Sequence, residues 1–409
     1  YLRPEIFELE MDAIFTRGWI YLGHASEIPE PGDYKLSWMG RASVILTRDE
    51  SGQVQAMFNR CRHRAATVCQ AEQGNANFFR CAYHGWTYDN RGALVGVPYQ
   101  SGYDESFERS ELGLTAVGRL EEYRGFLFGN GDASGPSLDE HLGPHVKAQI
   151  DLFSDLSPVG KLRLRSGSHR YGYNANWKFQ LENTLDGYHP NFVHQSFFDV
   201  AASHSGRRTD VFDGDSTSVT RELGDGHAML DYRRPHRERR LPQIERMKER
   251  VGWYRDYVDA LEKAHGKERA LDVLVADGTH MNIFPNAFLL GVQVRVLRPV
   301  RVDRTEVFLS PVLLDGVPDE LNESRLRQHE AFYGPAGGGA TDDLDMFERN
   351  QAGLQAGSDP WLLLKRGLGR ERLDVDGTRV AQITDELPQR SQWRRWKREM
   401  TVAQSRTDG

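Results

Sequence analysis

Apolar and polar positions along this chain fall into two regimes. Between residues 42 and 130, short β-rich runs recur: ASVILTR (42–48), VQAMFNR (54–60), NFFRCAY (77–83) and RGFLFGN (124–130). Turn clusters such as Asp49-Glu50-Ser51-Gly52 and Asp89-Asn90-Arg91-Gly92 separate them. This pattern predicts a small, mostly antiparallel β domain. Ahead of it, Phe7, Met11, Ile14 and Trp19 are spaced as a short amphipathic helix running into a strand, and the Pro/Gly-punctuated stretch 25–34 marks a boundary. After about Gly143 the pattern changes. Residues 161–177 read as strands leading into a helix, and 254–266 and 319–332 carry helical periodicity. HMNIFPN (280–286), FLLGVQVRVLRPV (288–300) and RTEVFLSPVLL (304–314) read as long antiparallel strands. The sum is an α+β fold: a small antiparallel β domain before a larger domain of antiparallel sheet covered by helices.

The helix entered at 177 is the stretch most dense in chemistry. In NWKFQLENTLDGYHPNFVHQS (176–196), Trp177, Leu181, Leu185, Tyr188 and Phe192 follow one helical face. Asp186 and His189, three apart, share another. Pro190 predicts a kink or restart, because its ring clashes with the carbonyl four residues back and it donates no hydrogen bond. That break lets His194 turn towards the same point as His189. Two His with a carboxylate suit non-haem ferrous iron. A polar helix face with two solvated histidines is the plainer reading of this stretch alone.

In the β-rich half, Cys61-Arg62-His63 is followed, after a gap, by Cys81-Ala82-Tyr83-His84. Each pair follows a β-rich run and so sits at a hairpin tip. Zinc fingers usually present both cysteines first; here one Cys and one His come from each loop. That order suits a Rieske [2Fe-2S] centre, with Cys on one iron and His on the other. Cys69 falls outside the spacing and reads as a buried thiol.

Composition narrows the classes. The 409 residues imply two domains; 39% hydrophobic and 27% charged content reads as globular. A net charge of -7 gives no nucleic-acid footprint, and no apolar run is long enough to span a bilayer. Three cysteines argue against a disulfide framework, and with no secretory signal in view the chain is expected in the cytoplasm. GNGDASG (129–135) has the wrong spacing for a dinucleotide fingerprint, so no FAD or NAD site is expected.

CRHRAATVC (61–69) and CAYHGWTYDNRGALVGVP (81–98) resemble the Rieske motif of bacterial aromatic-ring-hydroxylating oxygenases. ENTLDGYHPNFVH (182–194) resembles that family's mononuclear iron motif. The resemblance implies a large (alpha) subunit with three parts. Residues 1–32 would be an N-terminal segment packing on the catalytic domain, 33–148 the Rieske domain and 149–409 the catalytic domain. It places a [2Fe-2S] cluster at Cys61, His63, Cys81 and His84, and Fe(II) at His189, His194 and an acid from YGPAGGGATDDLDMFERNQ (333–351). Matching the turn and the acidic pair gives Asp343, with Asp342 the alternative. Asp186 then becomes a bridge from a cluster histidine of a neighbouring subunit to His189, and with Asn183 it is counted as catalytic. The plain alternative for Asp186 is a helix-surface acid. The implied reaction is insertion of dioxygen into an aromatic ring, by cis-dihydroxylation or hydroxylation. Electrons come from NADH through a separate reductase, with or without a ferredoxin. A homotrimer, with or without small β subunits (α3β3), is implied. Relatives that remove O- or N-alkyl groups use the same ligands. A Rieske electron carrier without catalysis is the alternative of another class.

By sequence neighbourhood or family position, the substrate pocket is expected to draw on Gln180, Phe192, Val193, Phe197, His280, Asn282, Val292, Arg295 and Tyr333, with Phe179 and Phe198 close by. Arg295 lies inside an apolar run, where a charge is buried only with a partner. It is either a bidentate anchor for the carboxylate of an aromatic acid or half of a structural ion pair. The polar stretch 204–250 reads as a solvated face or as a loop over the site. QRSQWRRWKREM (389–400) reads as a terminal helix with its tryptophans inward and Arg390 directed at the pocket.

Overall fold

The computed structural model describes residues 1–205, 217–276, 280–357 and 361–407. It divides into two compact units: Met11–Leu138, and a second that joins Tyr1–Glu10 to Asp139–Gly409.

The first unit holds three small antiparallel sheets. Ala42–Arg48 is a strand with the expected bounds, flanked by Asp33–Met39 and Val54–Phe58. Phe78–Arg80, Thr87–Asp89 and Leu94–Gly96 form a second sheet. The third pairs Ile20–His24 with Phe126–Asn130, which also pairs Arg119–Tyr123. This third sheet corrects the expected division. Only Tyr1–Glu10 of the first 32 residues joins the larger unit, because the strand at Ile20 pairs with Phe126–Asn130 in this one, with a bulge between Tyr21 and Gly23. The far boundary also moves, to the start of the Leu138–Ser154 helix, which kinks at Gly143 (φ +63) ahead of Pro144.

The second unit is built on a nine-stranded antiparallel sheet. Its order is His169–Tyr173, Arg304–Pro311, Gln293–Arg301, Ala287–Leu290, His280–Ile283, His227–Asp231, Val219–Gly224, Arg379–Gln382 and Arg372–Leu373. The run 288–300 is not one long strand. Gly291, at φ +54, turns it into a hairpin between Ala287–Leu290 and Gln293–Arg301. His227–Asp231 and Ala287–Leu290 are buried along their whole length, so both faces are covered. The Leu387–Thr407 helix packs on Val219–Gly224 and His227–Asp231, and Asp319–Tyr333 packs on Arg304–Pro311. The charged run becomes the Arg233–Arg250 helix, largely exposed, as a solvated face requires. The part of the loop reading that falls on 206–216 lies outside the described residues.

The expected long iron helix is a short one, Trp177–Asn183. Asn176 caps it by accepting the Lys178 N–H at 3.2 Å. Thr184 bonds back to the Gln180 carbonyl at 2.8 Å, and Asp186 Oδ1 accepts the Tyr188 and His189 amides at 2.6 and 3.3 Å. Those side-chain bonds compete with the helical ladder and end it. A new turn starts with Pro190 at its first position, Pro190–Val193, and Gln195–Ser205 follows. Trp177, Leu181 and Leu185 are buried, but Tyr188 and Phe192, beyond the break, are exposed. Gln389 and Gln392 of the C-terminal helix donate to the Glu182 and Leu181 carbonyls, which the broken helix leaves without intrahelical partners.

Candidate active site and metal centres

In the Met11–Leu138 unit the two Cys/His loops are built alike. The Cys61 amide donates to the Ala66 carbonyl and the Cys61 carbonyl accepts from Ala65. The Cys81 amide donates to the Trp86 carbonyl and its carbonyl accepts from Gly85. Both fourth positions take a left-handed backbone, Ala65 at φ +64 and Gly85 at φ +73. Cys61 and Cys81 are buried, while His63 and His84 are part-exposed with ring centroids 4.5 Å apart. Trp86 stacks on His63 at 5.0 Å, and the Tyr88 hydroxyl lies 3.2 Å from Cys61 Sγ. Burial, then the charges of His84 and Arg64, hold the His63 pKa below its ordinary value. His63 Nδ1 is buried without a hydrogen-bond partner. Two sunken thiols, two outward imidazoles and one orphaned ring nitrogen fit a cluster that takes Cys on one iron and His on the other.

In the larger unit, His189, His194 and Asp343 converge. Asp343 Oδ1 lies 3.5 Å from His189 Nε2 and 3.4 Å from His194 Nε2. Asn183 Nδ2 donates to Asp343 Oδ1 at 3.1 Å and lies 3.2 Å from His189 Nε2. Asp342 faces the other ring nitrogen of His194 at 3.9 Å and is the more exposed of the acidic pair. Asp186 Oδ2 lies 3.7 Å from His189 Nδ1. His189 and His194 Nδ1 are both buried without a hydrogen bond. Burial opposes charging His189, but the neighbouring Asp186 and Asp343 carboxylates outweigh it and raise its pKa. At His194 burial wins over Asp343, and its pKa is lowered. Two imidazoles and one carboxylate brought together suit a facial iron triad.

Local sequence explains this convergence. Asp343 sits in the first turn of the Ala340–Leu354 helix, where an acid faces the positive end of the dipole. A Cβ on Gly338 would lie 2.4 Å from the Phe197 ring, and one on Gly339 2.3 Å from the Phe332 ring. The glycine turn therefore lets both aromatics close against it. A Cβ on Gly187 would lie 2.3 Å from the Ile383 carbonyl oxygen, so the loop between the ligands lies flush on backbone.

A cavity of about 380 Å³ opens on the triad. Of the residues expected around it, Phe197, Phe198, His280, Arg295 and Tyr333 line it, together with Asn183 and Asp186, the two expected as catalytic. Others do not, and for definite reasons. Gln180 is buried between the Tyr171 hydroxyl and Thr184, and Phe179 lies in a core with Tyr173 and Phe347. Asn282 is wholly buried, bonding the Ala228 amide and the Gly226 carbonyl. Val292 is core, Phe192 is exposed, and Val193 is outside the lining. Arg390 pairs with Glu371 instead of turning to the cavity. Sequence reasoning missed Thr184, Leu230, Leu290, Gln328, Ala331 and Phe332. Adjacency of Phe332 to Tyr333 and to the glycine turn was the available signal.

Arg295 sits on the strand between Phe288 and Leu309, 4% exposed. Its Nη1 donates to Thr184 Oγ1 at 3.3 Å, and its guanidinium lies 5.5 Å from the Tyr333 ring centroid. Nε has no partner, and among the described residues Arg295 makes no ion pair. Among the described residues, then, no acid supplies the structural ion pair. Burial, then the Arg295 charge, pushes the His280 pKa down to about 4. A larger cavity, about 510 Å³, is lined by Arg221, Arg233 and other arginines, but no convergent metal-ligating group lies there among the described residues.

Residues 160–372 match the family profile described as ring hydroxylating alpha subunit (catalytic domain), and residues 18–115 match the Rieske [2Fe-2S] domain. The 2-halobenzoate 1,2-dioxygenase large subunit of Burkholderia cepacia is 34% identical over 88% of this chain and 77% of its own. The toluate 1,2-dioxygenase subunit alpha of Pseudomonas putida is 36% identical over 87% of this chain and 78% of its own. A solved naphthalene 1,2-dioxygenase with indole bound in the active site superposes with a TM-score of 0.81, at 28% identity, covering 98% of this chain and 90% of that one.

Proposed function

Because this chain belongs to the ring-hydroxylating alpha subunits that carry a Rieske domain, we propose that it is a terminal oxygenase large subunit acting on an aromatic carboxylate by cis-dihydroxylation. The observation that carries the substrate class is Arg295. It is a buried guanidinium with no acidic partner among the described residues, on the wall of a cavity otherwise rich in Phe, Leu and Tyr. A buried cation is costly until paired, and a carboxylate is the anion its planar fork grips in two places. Relatives named for halobenzoate, anthranilate and toluate lend the reading further support.

The protein carries a [2Fe-2S] cluster and a mononuclear iron. In this reading Cys61, His63, Cys81 and His84 would hold the first, and His189, His194 and Asp343 the second. The cluster supplies one-electron transfer and the iron supplies dioxygen activation. The chain's own residues do the rest. Arg295 binds the substrate carboxylate and sets which ring carbons face the triad. Phe197, Phe198 and Phe332 hold the ring and exclude water. Asn183 fixes Asp343 and His189 against each other. Asp186 orients the His189 ring and would accept its N–H, as partners of ligating histidines do. In the same reading, electrons come from NADH by way of a reductase, with or without a ferredoxin. The assembly is a trimer, alone or with small β subunits, and the Asp186 bridge crosses between subunits. Among the described residues no helix is long and apolar enough to cross a membrane; we place the protein in the cytoplasm.

The test is product analysis with a surrogate reductase and a panel of benzoates, hydroxybenzoates and neutral arenes. Dihydrodiol formed from carboxylated rings is the expected outcome. Turnover confined to neutral arenes would overturn the substrate class.

A further inference from the structure

We propose a third metal site, made by His169, His329 and Glu330, that takes one borderline divalent transition ion such as zinc. Their ligand atoms all lie within 4.8 Å of one another. Glu330 Oε1 lies 2.6 Å from His169 Nε2 and 3.8 Å from His329 Nδ1, so one carboxylate oxygen sits between two imidazoles. The two rings stack nearly parallel, 11° apart with centroids at 5.3 Å.

The second observation is His329 itself. Its side chain is fully buried, yet neither ring nitrogen has a hydrogen-bond partner. Buried polar groups are seldom left so, and an unmade contact of this kind points to an absent ion or ligand. Its neighbours His169 and Glu330 carry the groups that would ligate a metal. Two imidazoles and a carboxylate are a zinc-type donor set, with one position left for solvent. Metal–ligand bonds near 2 Å put tetrahedral donor atoms ~3.4 Å apart, so the Glu330–His169 pair must open by about 0.8 Å and the wider pairs must close by up to about 1.4 Å. Glu330, exposed at the helix surface, and His169, part-exposed at the start of its strand, are the side chains with room to make that adjustment.

The ion would tie two elements. His169 opens the strand His169–Tyr173, while His329 and Glu330 lie on the Asp319–Tyr333 helix, whose last residues, Phe332 and Tyr333, line the cavity. A metal here therefore pins the helix that forms one wall of the substrate site. None of its ligands is shared with His189, His194 or Asp343.

Equilibrium dialysis of iron-loaded protein against buffered micromolar free Zn²⁺, with metals counted per chain, tests this. The expected result is one zinc per chain with the iron count unchanged, and a higher melting temperature. His169→Gln and Glu330→Gln, both at partly exposed positions, should weaken zinc binding at least tenfold and abolish the thermal shift. An Asp343→Ala protein should still take up the zinc. Absence of uptake, uptake only as iron is lost, or equal uptake in the variants would each overturn the site and leave His169–Glu330 a simple surface pair beside an idle imidazole.

Discussion

Lys178 donates to Glu10 at 2.6 Å with both side chains removed from solvent, 4% and 0% exposed. Trp177 Nε1 donates to the same carboxylate at 2.8 Å, and Trp396 Nε1 at 2.7 Å. Glu10 thus satisfies a charge and two indoles at the base of the helix that carries Asn183. Glu10→Leu should cost about 3–5 kcal/mol, because it strands the Lys178 ammonium in the interior. Adding Lys178→Met should recover most of that loss. Urea midpoints of the two variants check it. Equal destabilisation in both would mean that packing, not charge, is what Glu10 supplies.

Arg295→Leu should raise KM for an aromatic acid by roughly tenfold to a hundredfold, the worth of a charge-assisted hydrogen-bond pair. Turnover of a neutral arene should change little. Arg295→Lys should recover only part of the affinity, since a point charge lacks the fork. Steady-state kinetics on paired substrates such as benzoate and toluene provide the readout.

Asp343→Ala and Asp186→Ala should separate iron binding from iron use. Wild-type protein should hold about three irons and two sulfides per chain. Asp343→Ala should fall to about two irons with the cluster absorbance intact. Asp186→Ala should keep about three, yet lose at least tenfold in turnover. Loss of the third iron in Asp186→Ala would recast that acid as a prop for the ligand loop.

Acid stability should carry the signature of His227. Its ring is fully buried: Nδ1 accepts the Phe284 amide at 2.9 Å, so Nε2 carries the proton and donates to the His141 carbonyl at 2.9 Å. A second proton would have to enter against that amide. Burial brings its pKa from 6.5 down to about 4. Between those values the unfolded chain binds more protons, so stability rises with pH there. The contribution is full above about pH 6.5 and is lost as the pH falls to about 4, roughly 3 kcal/mol in all. Urea midpoints from pH 4 to 7 should flatten by up to about one proton's worth of slope in His227→Gln.

How much of this was legible in the chain depended on distance along it. The two Cys/His loops were readable because each is closed by bonds spanning five residues or fewer, and local spacing carries the geometry. His189 and His194 were readable for the same reason, Pro190 announcing the restart. The length of the first helix was misjudged because Thr184 and Asp186 bond the backbone, a competition that apolar periodicity does not register. Asp343 could be found only through resemblance; as sequence it is one more acid at a helix start. Gln180 is expected in the pocket from its nearness to the ligands in sequence and Asn282 from family position, but the structure uses them on buried backbone and neighbouring hydroxyls. The wall from Gln328 to Phe332 was missed because its helix is mostly polar and shows only a narrow apolar edge.

The junction at Glu10 also bears on the order in which the molecule can be made. Trp396 reaches Glu10 across 386 residues of sequence, and Gln389 and Gln392 close the Trp177–Asn183 helix from the same late segment. A ribosome must therefore deliver the Leu387–Thr407 helix before the element bearing Asn183 is fully bonded. The Cys/His loops meet no such delay, since their contacts close within Met11–Leu138. The cluster pocket can thus mature on the nascent chain, whereas the iron pocket must wait for the Leu387–Thr407 helix.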